Sequence, residues 1–246
     1  MTNSAIQYVN AMNNVLDHIL DTQMDAVEKA AGLVAAAIAK DGLLYTFGTG
    51  HSHVTAEDLT YRAGGLIAVD AIMERSLTGH EKVAQSEYME RVEGIAKVIL
   101  DYYELTPQDA LIVVSNSGRN AAPIEMAMLA KERGVAVIGV TSLAHSRGTT
   151  SRHSSGKKMY EYCDVVIDNQ CPKGDCLLNL DGLDRPVGAG SSVATLFILN
   201  MIVTQAVQNL LEMGVVPPVG MSGNLDGSYE YNKKFIDRYK NRIKVW

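Results

Sequence analysis

The chain has 246 residues, 47% of them apolar and 20% charged, with a net charge of −6. That is the composition of a globular domain with apolar side chains enough for a sizeable core. Its acidic balance excludes the basic face a nucleic-acid binder needs. A small anionic ligand is not excluded, because local N–H groups and hydroxyls decide that affinity.

The start, Met1-Thr2-Asn3-Ser4, has neither a basic nor an apolar leader pattern. Residues 3–40 read as helical, because Ile6, Val9, Met12, Leu16 and Ile19-Leu20 recur at helical spacing. Val27, Ala30-Ala31, Val34 and Ile38 repeat the pattern until Asp41-Gly42 ends it. From there strands and helices alternate. Strands are expected at 43–47, 66–70, 110–114, 135–141 and 165–168. Helices are expected at 54–63, 88–103, 121–133, 188–213 and 228–243. Pro123 falls in the first turn of its helix, where a missing N–H costs nothing. Residues 145–158, rich in Gly, Ser and basic side chains, read as a mobile loop, and 169–187 as another.

Continuous apolar strands alternating with helices predict an α/β fold: a parallel sheet sandwiched by helices. One domain over 1–246 is expected, with N-terminal helices over 1–40, an α/β core over 41–213 and a C-terminal extension over 214–246. The most apolar stretch, 193–203, is about half of the ~20 residues a bilayer span needs, and Asn200 interrupts it, so it reads as a buried helix with no membrane role. Cys163, Cys171 and Cys176 are odd in number and lack the short spacing of a zinc site, which suggests free thiols in a cytoplasmic protein.

Two strand ends carry the chemistry. The first strand runs into Gly48-Thr49-Gly50-His51-Ser52-His53 and the third into Ser115-Asn116-Ser117-Gly118-Arg119-Asn120. A strand ending in glycines and hydroxyls before a helix offers N–H donors at the positive end of the helix dipole, a site for a phosphate. Either loop alone is also an ordinary strand-to-helix turn; the pairing favours a ligand held between them. Arg119 and Asn120 are placed to reach a phosphate or a sugar hydroxyl, with a solvated arginine as the plain alternative. Gly190-Ser191-Ser192 opens the long apolar helix as a third such terminus, or is a simple N-cap.

His51 and His53 flank Ser52 and serve either as acid/base groups or as hydrogen-bonding caps. No third ligand stands at a helpful spacing from them, so no metal is assigned. Glu57 is a candidate base for moving a proton between adjacent carbons through an enediol, although a carboxylate early in a helix is often only paired with its dipole. His80, in Thr78-Gly79-His80-Glu81, is the other candidate, and Glu74 and Glu125 are lesser ones. The loop Gly48-Thr49-Gly50-His51-Ser52-His53 lacks the third glycine of a dinucleotide fingerprint, and position 53 is His; Asp70 at the next strand end is all that favours that reading.

At these loops the chain resembles the SIS (sugar isomerase) domain family. Gly48-Thr49-Gly50-His51-Ser52 is similar to its first phosphosugar loop and Ser115-Asn116-Ser117-Gly118 to its second, and the likeness covers about residues 43–205. The whole chain also resembles a bacterial SIS group of phosphosugar isomerases. The resemblance implies a five-stranded, flavodoxin-like parallel sheet and a homodimer or tetramer. It also implies a sugar phosphate or amino-sugar phosphate as ligand, with no cofactor. The activity implied is aldose–ketose isomerisation, or amino-sugar-phosphate isomerisation with deamination. A phosphosugar sensor and an amino-sugar ether lyase are the alternatives. The slot in which phosphoheptose isomerases and etherases carry a catalytic Glu is Arg62 here, and the helix expected at 188–213 lacks the His of the phosphoheptose isomerases. His80 falls in the region where arabinose-phosphate isomerases carry a catalytic His.

Overall fold

The computed structural model describes residues 3–80 and 82–245; Met1-Thr2 at the start, and Glu81 beside His80, lie outside the described residues. Asn3 caps α1 (Ser4–Ala39), its Oδ1 accepting from the N–H groups of Ala5 and Ile6. The two apolar stretches of the sequence form one helix of 36 residues, because no Gly or Pro separates them. There follow β1 (Leu44–Gly48), α2 (Ser52–Glu57), β2 (Val69–Ile72), α3 (Arg75–Thr78), α4 (Val83–Met89), α5 (Ile95–Tyr103) and β3 (Ala110–Val114). The chain continues through α6 (Ala121–Glu132), β4 (Ala136–Thr141), α7 (Leu143–Arg147), β5 (Val165–Asp168), β6 (Cys176–Leu178), β7 (Val187–Ala189), α8 (Ser191–Glu212) and α9 (Ser228–Tyr239).

The main sheet has five parallel strands in the order β2-β1-β3-β4-β5, so strand order reverses between β1 and β3. Every residue of β1, β2 and β3 is buried, as both faces of a parallel sheet must be when helices cover them. α1, α2 and α8 lie together on one face, and α5 with α6 on the other. β6 and β7 form a separate antiparallel pair inside the segment read from sequence as a loop. By length and composition α8 passes as a membrane-crossing helix, yet its Ile198, Leu199, Ile202 and Ala206 are fully buried in the core. All three cysteines are free, and burial pushes the Cys163 and Cys171 thiols up to about 12.

Three expectations are corrected. α2 ends at Glu57 rather than running to 63, because the chain turns through Tyr61, which takes a positive φ of 48°. The helix expected over 88–103 is broken: α4 stops at Met89 and α5 begins after Gly94, whose φ of 91° no helix interior accepts. The 145–158 segment is tied down rather than loose. Ser142 caps α7, and Lys158 donates to Ser146 O at 2.7 Å and to Thr149 Oγ1 at 2.9 Å.

The end of the sheet opposite the strand carboxyl ends is held by buried carboxylates. Asp109 accepts from Leu43 N, Thr106 N and Arg242 Nη2, which reaches both carboxylate oxygens, so one side chain joins β1, the turn before β3 and the C-terminal extension. Asp70 on β2 accepts from Lys244 N at 2.8 Å, while its buried Oδ1 has no side-chain or backbone partner among the described residues. Burial raises the Asp70 pKa from the ordinary 3.8 to about 6, against the lowering effect of the Lys244 and Val245 N–H groups. Because the folded value is the higher one, the folded chain holds this proton more tightly than the unfolded chain. The group's contribution to stability is therefore most favourable below about pH 4 and declines as pH rises to about 6. Asp70→Asn removes the charge and hence that slope. In urea unfolding, the stability of the variant relative to wild type should improve by about 2–3 kcal/mol between pH 4 and pH 7. A pH-independent difference would assign the strain at this position to something other than the buried charge.

Candidate functional site

The register of β1 on β3 pairs Gly48 with Val114, so the loops after these strands leave the sheet side by side. Their helices pack on opposite faces, and the space between them opens at the reversal of strand order, where ligands bind in open parallel sheets. A cleft of about 650 Å³ occupies this position, and a smaller recess of about 140 Å³ adjoins it through His51, Ser52 and Asn116.

Loop one turns as tightly as it does because position 48 has no side chain: a Cβ there would lie 2.5 Å from the backbone C and O of Ser52. Gly50 takes a positive φ of 54°, and its N–H donates to Leu77 O at 2.9 Å, tying the loop to α3. Loop two is a hydroxyl turn in which Ser115 Oγ accepts from Gly118 N at 3.1 Å. Its outer side is held by Thr141 Oγ1 and Ser142 N, which both donate to Asn116 O at 3.2 Å. The N–H groups of Asn116 and Ser117 reach no acceptor among the described residues.

Most of the residues singled out in the sequence meet here. Thr49, Gly50, His51, Ser52, His53, His80, Ser115, Asn116, Ser117 and Asn120 line the large cleft. Ser191 and Ser192 line the small recess. Gly48 and Gly118 shape the turns without lining either space. Arg119 points to Thr150 Oγ1, at 3.2 Å, and anchors the following segment. Glu57 is exposed and lines neither space, and Arg62 on the same side pairs with Asp58. Glu74 caps α3 through Ser76. Glu125 accepts twice from Gly94 N, at 2.8 Å.

The two histidines form a pair. His53 is buried, and its Nδ1 sits against the Gly50 carbonyl, which can only accept. That contact assigns the Nδ1 proton and leaves Nε2 of a neutral His53 as an acceptor. His80 Nδ1 lies 3.3 Å from this Nε2, and the rings are 5.2 Å apart between centroids. With Nδ1–H of His80 donated to His53, the lone pair of a neutral His80 is on Nε2.

Glu90, Glu87, His145 and Asp175 were not found by sequence reasoning. Glu90 clasps the two loops together, its Oε2 accepting from Thr49 Oγ1 and its Oε1 from Asn120 Nδ2, both at 2.7 Å. Arg152 Nη1 in turn donates to Asn120 Oδ1 at 3.0 Å. His145 enters the cleft from α7, and burial lowers its pKa. The strand end at Thr141-Ser142 was the available signal for it, since the segments that follow β1, β2, β3 and β4 all border this cleft.

The terminus at Gly190-Ser191-Ser192 is already capped by the chain itself. Asp175 accepts from Ser191 N at 2.7 Å, Ser191 Oγ at 2.8 Å and Gly190 N at 3.2 Å, and it lines the small recess. A carboxylate at a helix N-terminus meets the same demand as a bound anion.

The family model described as SIS domain matches residues 7–142. A UPF0309 protein of Halalkalibacterium halodurans is 41% identical over 239 residues, covering 97% of this chain and 99% of its own. Among solved structures, a phosphoheptose isomerase from Francisella tularensis superposes with a TM-score of 0.55 at 15% identity, covering 85% of this chain and all of its own. The Vibrio vulnificus NanR protein complexed with ManNAc-6P gives 0.56 at 13% identity, covering 99% of this chain and 71% of its own. At these identities the structural likeness is one of fold.

The two loop-one glycines separate shape from backbone conformation. Gly48→Ala forces a side chain into the Ser52 backbone and should cost about 3 kcal/mol, with α2 displaced. Gly50→Ala meets open space and should cost only about 1–2 kcal/mol for its left-handed backbone. Chemical denaturation of both variants measures this, and an equal cost would refute the close-approach account of Gly48.

Proposed function

The chain belongs to the SIS-domain family, and we propose that its cleft binds a sugar phosphate or amino-sugar phosphate and isomerises it through an enediol. The observation that carries this reading is the meeting of loop one, loop two and the His53–His80 pair in one cleft of about 650 Å³ at the strand-order reversal. The phosphate is taken by the free N–H groups of Asn116 and Ser117 and the hydroxyls of Ser52, Ser115 and Ser117. Arg152, held on Asn120, adds positive charge nearby. Glu87 and Glu90 line the same cleft, and two carboxylates favour sugar hydroxyls or the ammonium group of an amino sugar.

His80 is assigned the proton transfer. Its Nε2 takes the proton from the carbon beside the open-chain carbonyl to give an enediolate, the proton of the adjacent hydroxyl passes to the former carbonyl oxygen, and the proton held by His80 returns to the former carbonyl carbon. His53 accepts from the other ring nitrogen, so the positive charge that develops on His80 is shared with a neighbour already oriented by the Gly50 carbonyl. Self-association belongs to the same reading. The groove of about 340 Å³ between α1 and α8, lined by Met24, Val27, Phe197 and Met201, supports it.

A second reading, binding without turnover, is favoured by Glu57 lying off the cleft and by Arg62 in the slot where related enzymes carry a glutamate. One experiment separates the two. Thermal unfolding is followed with a panel of sugar phosphates, amino-sugar phosphates and their unphosphorylated forms, and each stabilising ligand is then followed by NMR for turnover. A ligand at 100 times its dissociation constant should stabilise by about 2.7 kcal/mol, and its dephosphorylated form should not. His80→Ala should keep that stabilisation and lose turnover by about 100- to 10,000-fold. Stabilisation without turnover in the wild type would favour the binding module. No stabilisation by any phosphosugar would overturn both.

A further inference from the structure

A second polar cluster lies outside the lining of the cleft, where the 150–158 segment crosses the start of α5 and the first half of α6. Glu93 precedes α5, Glu125 stands on α6 and His153 comes from the crossing segment, and one ligand atom from each lies within 4.8 Å of the others. The His153 and Glu125 side chains are each only 7% exposed. His153 Nε2 faces both carboxylates, at 3.5 Å from Glu125 Oε1 and 3.9 Å from Glu93 Oε2. Neither distance is a hydrogen bond. A nitrogen on a side chain that is nine-tenths buried therefore faces two carboxylates at ion-pair distance, with room between the three for a cation. The His153–Glu125 distance is close to the separation of about 3.3 Å between donors that share a tetrahedral ion at about 2.0 Å, and binding an ion would draw the exposed Glu93 inward from its longer distance.

The surroundings are those of a metal ligand set. His153 Nδ1 lies 2.8 Å from Ser155 Oγ, an acceptor for the Nδ1 proton once Nε2 is used for binding. Glu125 is fixed by Gly94 N, and Glu93 by Ser154 N at 2.6 Å and Ser154 Oγ at 2.8 Å. In the metal-free chain Ser155 N donates to Nδ1 at 3.2 Å, which puts the ring proton on Nε2, between the carboxylates. A cation on Nε2 displaces that proton; Nδ1 then carries the ring proton and donates it to Ser155 Oγ, and the Ser155 N–H gives up its bond to Nδ1.

We propose that Glu93, Glu125 and His153 bind one divalent transition-metal ion, of which Zn²⁺ is the natural probe, and that the ion locks the 150–158 segment onto α5 and α6. One imidazole and two carboxylates suit Zn²⁺, Co²⁺ or Mn²⁺ better than Mg²⁺ or Ca²⁺, which prefer oxygen alone. Arg152, the neighbour of His153, reaches Asn120 in the cleft, so locking this segment fixes a cationic side chain over loop two. The site stands whether or not the cleft turns over a phosphosugar.

Titration calorimetry and thermal unfolding of the full chain, stripped of metal and given Zn²⁺ alone, test the proposal near neutral pH. One ion per chain is expected, with a raised melting temperature. Glu93→Gln, at an exposed side chain, should melt close to the wild type without metal, and both it and His153→Ala should bind Zn²⁺ about 100-fold or more weakly. His80→Ala should bind like the wild type. Trypsin cleavage after Arg152 and Lys157 should slow with Zn²⁺ in the wild type and not in His153→Ala. No Zn²⁺ uptake by the wild type would overturn the site, as would binding kept in His153→Ala but lost in His80→Ala. Unchanged trypsin cleavage in the loaded wild type would overturn the locking.

Discussion

The parallel pairing of β1 with β3 is the constraint on which everything else rests. Both strands are buried on both faces, so a shift by one residue would break ladder hydrogen bonds that water cannot replace and would repack side chains against the helices on either side. That fixes Gly48 beside Val114 and hence the two loops beside each other. The chain then departs to opposite faces, because α2 packs with α8 and α6 packs with α5. A cleft at this place follows from topology before any side chain is chosen. What the side chains add is a clasp. Glu90, carried in from the turn after α4, bonds one loop through Thr49 and the other through Asn120.

An acidic chain can offer an anion site because the field inside a cleft is set locally. The donors on loop two are the backbone N–H groups of Asn116 and Ser117 in the turn that leads to α6, with Arg119, Arg152 and Lys158 on the neighbouring chain. Burial and the neighbouring Arg119 lower the pKa of both Arg152 and Lys158, which is the electrostatic sign of cations crowded together. Glu87 and Glu90 lie in the same cleft, so it is polarised rather than uniformly positive. A ligand with an anionic end and a hydroxyl- or ammonium-bearing end fits that polarity. A dianion with negative charge at both ends does not.

The sequence revealed what local chemistry determines. β3 and β4 were legible because unbroken apolar runs have one reading in an alternating α/β chain. The loops were legible because two glycine- and hydroxyl-rich strand ends occur together, where either alone would serve as an ordinary strand-to-helix turn. The break between α4 and α5 was not. Residues 88–103 keep a helical apolar rhythm, and only the tertiary demand that Glu90 reach both loops, with Gly94 in a left-handed turn, interrupts it. Asp175 was equally hidden. Its capping of α8 depends on a hairpin, β6 with β7, that folds the chain back on itself. No spacing rule connects Glu93, Glu125 and His153 either, since they come from three elements that meet only when the sheet is assembled.

The same chain of contacts ties the two polar sites together. From His153 the backbone passes to Arg152, from Arg152 a hydrogen bond reaches Asn120, and from Asn120 another reaches Glu90 and so loop one. Each link joins a different element, and each uses a group that would otherwise be an unpaired donor or acceptor beside the cleft. Removing any one of them leaves its neighbour to find water or to move. The cleft is thus held from behind by the segment the sequence marked as loose. That segment can be polar and irregular because its order comes from these specific bonds and not from apolar burial. An ion bound at Glu93, Glu125 and His153 would act on the same bonds, which makes the 150–158 segment a point from which loop two can be tightened or released.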